Sequence, residues 1–188
     1  AAGFLASWLV GFGVVFLLER LDNGFRSGDQ LEAGLGLPLL ASIPELSGAD
    51  TLVDGESLSP PDYVLARPLS VYGEALRGLR TALLLSNVDT PPRVVLFSSS
   101  IASEGKTTAV LSLGRSIARS GKRVVVVDAD LRRPAVARGV GVSPKAGLVE
   151  YLAGQVELED VLLTDEASGM DVIPAVTGAV NAPDLLGS

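Results

Sequence analysis

Residues 93–108 read RVVLFSSSIASEGKTT: an apolar run, a loop of small residues, and a Gly-Lys-Thr triplet. The next residues, AVLSLGRSIARSG (109–121), take up a helical pattern. Strand, small-residue loop and helix in that order are the plan of a phosphate site. In such a loop backbone N–H groups converge on anionic oxygens, a lysine reaches the β and γ phosphates, and a hydroxyl holds magnesium. Gly105, Lys106 and Thr107 supply these groups. The pattern G-x-x-x-x-G-K-[ST] places its first glycine at position 100, where this chain carries Ser100. The context offsets that mismatch, because a helix N-terminus at Thr107 adds partial positive charge to the loop.

Downstream, VVVVDADLRRP (124–134) reads as a second strand ending in carboxylates, with Asp128 lying 22 residues after Lys106. An all-apolar strand is the pattern of a parallel strand covered on both faces. Its carboxyl end is where open α/β sheets bind ligands. Asp128 and Asp130 are two residues apart and so share one side of an extended segment. Oxygen ligands of this kind suit magnesium, held mainly through its waters. A helix over Thr107–Arg119, a turn at Ser120-Gly121-Lys122, a further helix over 148–163 and a third strand at MDVIPA (170–175) complete a β-α-β-α-β order. The expected fold is α/β, a doubly wound, mostly parallel sheet of the P-loop NTPase type.

Upstream, the spacing of Tyr72, Leu76, Leu79 and Leu83 predicts a helix over Ser70–Leu85 with one apolar stripe. Glu74, Arg77 and Arg80 fall on another face. Residues 47–68 mix Ser, Gly, Asp and Pro with scattered apolar residues, the composition of a poorly ordered connector. Before it come a short helix, a turn at Asn23-Gly24, a second helix near Gly28–Ala33, and an extended Leu39–Ile43 bounded by Pro38 and Pro44.

The chain of 188 residues carries 15 Lys and Arg against 22 Asp and Glu, for a formal net charge of −7. That balance argues against nucleic-acid binding through a basic surface. With no cysteine and no histidine, disulfides, Cys/His zinc sites and histidine acid–base chemistry are excluded. The first 18 residues, AAGFLASWLVGFGVVFLL, carry no charge. At 1.5 Å per residue they make roughly 27 Å of helix, close to the thickness of a bilayer's hydrocarbon core. A buried core helix is the alternative, but apolar residues on all sides with Gly3, Gly11 and Gly13 suit lipid better. Residues 1–18 are therefore expected to be the C-terminal part of a transmembrane helix. Arg20 and Arg26, just beyond it, favour a cytoplasmic side for residues 19–188.

SSSIASEGKTT together with VVVVDADLRRP resembles the Walker A and Walker A′ pair of the bacterial tyrosine kinases, the autokinases of capsule and exopolysaccharide polymerisation. EALRGLR (74–80) is similar to that family's E-x-x-R-x-x-R oligomerisation helix through Glu74, Arg77 and Arg80. GLGLPLLASIPEL (34–46) resembles its membrane-to-kinase segment, and NAPDLLGS (181–188) its Asn-Pro region near the active site. The resemblance implies a kinase that transfers the γ phosphate of ATP, with Mg2+, to tyrosines in the tail of a neighbouring subunit. In those terms Lys106 serves the β/γ oxygens and Thr107 the metal, with Asp128 and Asp130 in its water shell. The backbone of Ser103, Glu104 and Gly105 forms the cradle, with Ser100, Ala102, Thr108 and Arg132 as further nucleotide contacts. Asp128 is also a candidate to take the tyrosine proton.

The organisation implied is a transmembrane helix (1–18), a juxtamembrane segment and linker (19–69), and a P-loop tyrosine kinase domain (70–188) that stops before the family's Walker B motif and tyrosine-rich tail. A fragment with that boundary is expected to be inactive alone. The implied partners are further copies in a ring through residues 70–85, the membrane, the polysaccharide polymerase and export machinery, and a cognate tyrosine phosphatase, with no nucleic acid. The implied location is the bacterial inner membrane, with 19–188 cytoplasmic. Two other readings stand beside this one. A partition or division-site ATPase would carry a signature lysine where this chain has Ile101, and a polysaccharide co-polymerase scaffold would need no catalysis.

Overall fold

The structure is a computed structural model that describes residues 2–21, 24 and 27–176. The chain divides into two units, Ala1–Ser42 and Ile43–Ser188. The first holds α1 (Ala2–Leu21) and α2 (Gly28–Leu35). On α1, Phe4, Trp8 and Phe12 recur every four residues, so their rings neighbour one another with centroids 6.3 and 5.5 Å apart. Among the described residues no helix is long and apolar enough to cross a membrane, so the membrane reading of residues 1–18 rests on sequence. α2 begins at Ser27, whose side chain accepts the Gln30 amide, and ends at Gly36 in the left-handed conformation (φ 67°).

In the second unit the expected disordered connector is ordered. β1 (Leu52–Val53) and β2 (Glu56–Ser57) form a hairpin. Its turn is Asp54-Gly55, both at positive φ (52° and 88°), as a two-residue hairpin turn requires. Next comes α3 (Pro60–Ala66), with Ser59 accepting the Asp62 amide and prolines in the first turn, and it buries Pro61 and Val64. The composition misled because Asp-Gly and Ser-Pro-Pro-Asp are linker residue types that also nucleate hairpins and helices.

α4 (Val71–Leu85) starts at the Ser70 cap and buries Tyr72, Leu76 and Leu79, as the apolar stripe predicts. Gly73 lies against the Pro68 carbonyl, where a Cβ would collide. Then come α5 (Lys106–Arg119), β3 (Val125–Val127), α6 (Val136–Val140), α7 (Leu148–Leu152), α8 (Leu158–Val161), β4 (Leu163–Asp165) and β5 (Met170–Ile173). The single helix expected over 148–163 is two short ones, broken where Gly154 turns left-handed (φ 67°).

The sheet runs β3-β5-β4, with β3 parallel to β5 and β4 antiparallel to it. The described residues therefore form a small mixed sheet rather than a doubly wound, mostly parallel one. RVVLF (93–97) is not a strand: no ladder pairs it among the described residues, and Val94 and Leu96 are 90% and 85% exposed. The apolar run 124–127 is not covered on both faces either. β3 pairs only with β5 among the described residues, and Val125 and Val127 stay about half exposed while Val126 is buried. The core gathers Leu111 of α5, Val126, Val136, Met170 and Val172. Each such side chain contributes about 1.5–3 kcal/mol on burial. Gly114 lets α5 approach Met170 and Val126 closely, since a Cβ there would strike both. NAPDLLGS lies outside the described residues.

Candidate functional site

The loop that leads into α5 turns left-handed at Ser103 (φ 69°) and again at Gly105 (φ 82°), the helix's N-cap. Left-handed residues alternating with right-handed ones aim successive amides towards one point, the geometry of an anion nest. The amides of Ala102, Ser103 and Gly105 have no hydrogen-bond partner among the described residues. Lys106 opens the helix, and its Nζ lies 2.8 Å from Asp130 Oδ2. The two motifs, 24 residues apart in sequence, thus meet at the N-terminus of α5 and the carboxyl end of β3. The Lys106 ammonium, and then the Arg133 amide, hold the Asp130 carboxyl below the ordinary carboxylate value.

Asp128 is placed differently from Asp130. Its side chain is buried (5% exposed) and its oxygens accept the amides of Asp130 (3.1 Å), Ala135 (2.9 Å) and Val136 (3.0 Å). Those bonds fold the 128–136 segment back and start α6, so Asp128 organises the loop while Asp130 faces Lys106. The two carboxylates share a locality but not a task. Among the described residues no group of three or more acidic side chains is clustered to hold a metal. A set made of the Thr107 hydroxyl and the Asp130 carboxylate is oxygen-only, and it fits magnesium carried mostly by water and phosphate.

A cleft of about 530 Å³ opens beside the first turn of α5, with Thr107 and Thr108 facing Asp62 of α3 and Ala135 and Arg138 of the α6 region. Arg132 is exposed, and no contact among the described residues carries it to the loop. Ser100 and Ala102 are exposed on the loop. Of the predicted oligomerisation residues, Glu74 and Arg77 pair with each other on α4, and Arg80 donates to Ser120 Oγ at 2.8 Å, beyond the end of α5. Sequence reasoning missed Asp62 and Arg138 on the cleft wall. Asp62 lay in a segment read as linker, and a lone Arg138 carries no motif.

A loop that turns left-handed at Ser103 and Gly105, a lysine at the first helical turn and a strand-end carboxylate define a P-loop nucleotide domain. Residues 92–187 match the AAA domain family. The chain therefore belongs to the AAA domain family, and it is similar to bacterial tyrosine-protein kinases. It is 29% identical over 192 residues to a proposed tyrosine-protein kinase in the cps region of Klebsiella pneumoniae, covering 98% of this chain and 26% of that one. It is 30% identical over 196 residues to the tyrosine-protein kinase etk of Escherichia coli strain K12, covering 98% and 27%. The solved kinase domain of Escherichia coli tyrosine kinase ETK superposes with a TM-score of 0.76 at 31% identity, over 87% of this chain and 64% of that one. The chain spans about a quarter of the length of the curated relatives it matches.

Proposed function

We propose that this chain is the nucleotide-binding part of an ATP-dependent protein-tyrosine autokinase that serves capsule or exopolysaccharide polymerisation and export. The observation that carries the reading is the approach of Lys106 Nζ to Asp130 Oδ2, which joins the phosphate loop to the Walker A′ carboxylates at one helix N-terminus. In this reading Lys106 leaves Asp130 for the β/γ oxygens when ATP enters, and the loop amides cradle the phosphates. Thr107 and Asp130 hold Mg2+, while Asp128 keeps the 128–136 segment in place. Phosphoryl transfer is mostly positioning and charge stabilisation, and these residues supply part of both for the nucleotide. The names of the relatives support the kinase assignment, and that of the Klebsiella protein supports the capsule context.

Residues 1–18 anchor the chain in the inner membrane and 19–188 are cytoplasmic; eighteen uncharged residues followed by Arg20 and Arg26 support this. The acceptor tyrosines belong to a neighbouring copy in a ring assembled through Glu74, Arg77 and Arg80, and a phosphatase resets them. None of the chain's own three tyrosines suits the acceptor role: Tyr72 is buried, and Tyr63 and Tyr151 stand apart in sequence.

The test is Lys106→Met in the full-length protein, in membranes. Autophosphorylation on tyrosine is expected to vanish while the circular dichroism spectrum is unchanged. Undiminished phosphorylation would sink the site, and recovery of the protein in the soluble fraction would remove the anchor.

A further inference from the structure

The phosphate loop contains a carboxylate for which an anion site has no electrostatic use. Glu104 Oε2 accepts the amides of Ser100 (2.9 Å) and Ile101 (3.2 Å), and the Ser100 hydroxyl lies 3.1 and 3.2 Å from the two carboxylate oxygens. These bonds, the Ile101 amide foremost, hold the Glu104 carboxyl below its ordinary value, so it is ionised at neutral pH. They tie the start of the loop to the turn at 103–105, where the left-handed residues aim the free amides.

Ser100 stands where the P-loop pattern has its first glycine, but it does not adopt positive φ, so the position demands no glycine. Its amide and its hydroxyl both go to Glu104 instead. A negative charge this close to bound phosphate opposes binding. Whatever benefit Glu104 brings must therefore come from geometry, and geometry and charge predict opposite signs when the side chain is removed.

We infer that Glu104, with Ser100, is the positioning pair of the phosphate loop: it closes the loop across four residues and holds the amides of 102–105 in the anion-binding arrangement before nucleotide arrives. The inference rests on the nucleotide reading above. It concerns a side chain, whereas the motif concerns only the backbone at this position.

The experiment is ADP affinity by calorimetry on the full-length protein and on Glu104→Ala and Glu104→Gln, with thermal midpoints recorded for each. Glu104→Ala should bind ADP about ten-fold more weakly, the scale of losing two loop-closing hydrogen bonds to a charged acceptor. Its thermal midpoint should not change, since the side chain is exposed. Glu104→Gln removes the charge but keeps an oxygen for both amides, and it should stay within about two-fold of the parent. If the parent binds no ADP, the nucleotide reading fails and this inference with it. If the parent binds but Glu104→Ala binds equally or more tightly, the positioning role alone is overturned. Glu104→Gln as weak as Glu104→Ala would also overturn it.

Discussion

Replacing Arg115 by Met should cost this fold more than any surface change, and the structure says by how much. Arg115 sits on α5 with 3% of its side chain exposed, and it grips Asp165 of β4, 1% exposed, through Nε at 2.8 Å and Nη2 at 3.0 Å. Its third nitrogen pairs with Asp62 of α3. Burial opposes the guanidinium charge, but the hydrogen bonds to Asp165 and Asp62 raise its pKa above the ordinary value. In Arg115→Met, Asp165 would remain buried with the Ser168 hydroxyl (2.6 Å) as its remaining side-chain donor. Breaking a buried pair from one side costs about 3–5 kcal/mol, because an uncompensated charge stays behind. Asp62 is different: 45% of its side chain is exposed, so Asp62→Asn should cost only about 0.5–1 kcal/mol. At a urea dependence of about 1–3 kcal/mol per molar, Arg115→Met should lower the unfolding midpoint by roughly 2 M. The assay is far-ultraviolet circular dichroism, because the single tryptophan, Trp8, lies in the first unit and α5 in the second. The double replacement Arg115→Met/Asp165→Leu should recover much of the loss. A midpoint for Arg115→Met no lower than that of Asp62→Asn would refute the reasoning.

Two further outcomes are expected. Burial raises the Tyr72 pKa against the opposing effect of its hydrogen bond to Ser112 (2.9 Å), so the folded state keeps its proton where the unfolded chain would release it. The stability this contributes is present below about pH 10 and lost as pH rises from there through the folded pKa; Tyr72→Phe should flatten that alkaline fall, and an unchanged profile would exclude it. Arg77→Ala with Arg80→Ala should lower oligomeric mass in light scattering and autophosphorylation together with ADP affinity kept, whereas an unaltered mass would remove the α4 interface.

The candidate site was legible because phosphate chemistry constrains sequence locally: loop, lysine and helix are contiguous in 98–119, and the carboxylate pair Asp128 and Asp130 ends an apolar run. Helix α4 was legible from the period of its apolar residues, which is likewise local in sequence. The division of labour between Asp128 and Asp130 was not, since equal residues two apart look equivalent until the 128–136 segment folds back onto one of them. The order of 47–68 was hidden because its turn and cap residues are also linker residue types, and because the burial of Pro61 and Val64 and the meeting of Asp62 with Arg115 across 53 residues depend on a distant part of the chain. RVVLF failed as a strand because strand propensity has no effect without a neighbour to pair with.

The unpaired stretch 93–97 has a practical consequence for anyone handling this domain. Its valines and leucine are exposed and uncharged, and the edge of β3 that pairs with no described residue offers half-exposed Val125 and Val127. Two such surfaces on separate molecules can zip together by backbone pairing, a route to sticky, concentration-driven clumping. Clumps of that origin would grow with protein concentration and survive both high salt and the loss of Arg77 and Arg80, whereas an assembly built on guanidinium contacts would weaken under either treatment.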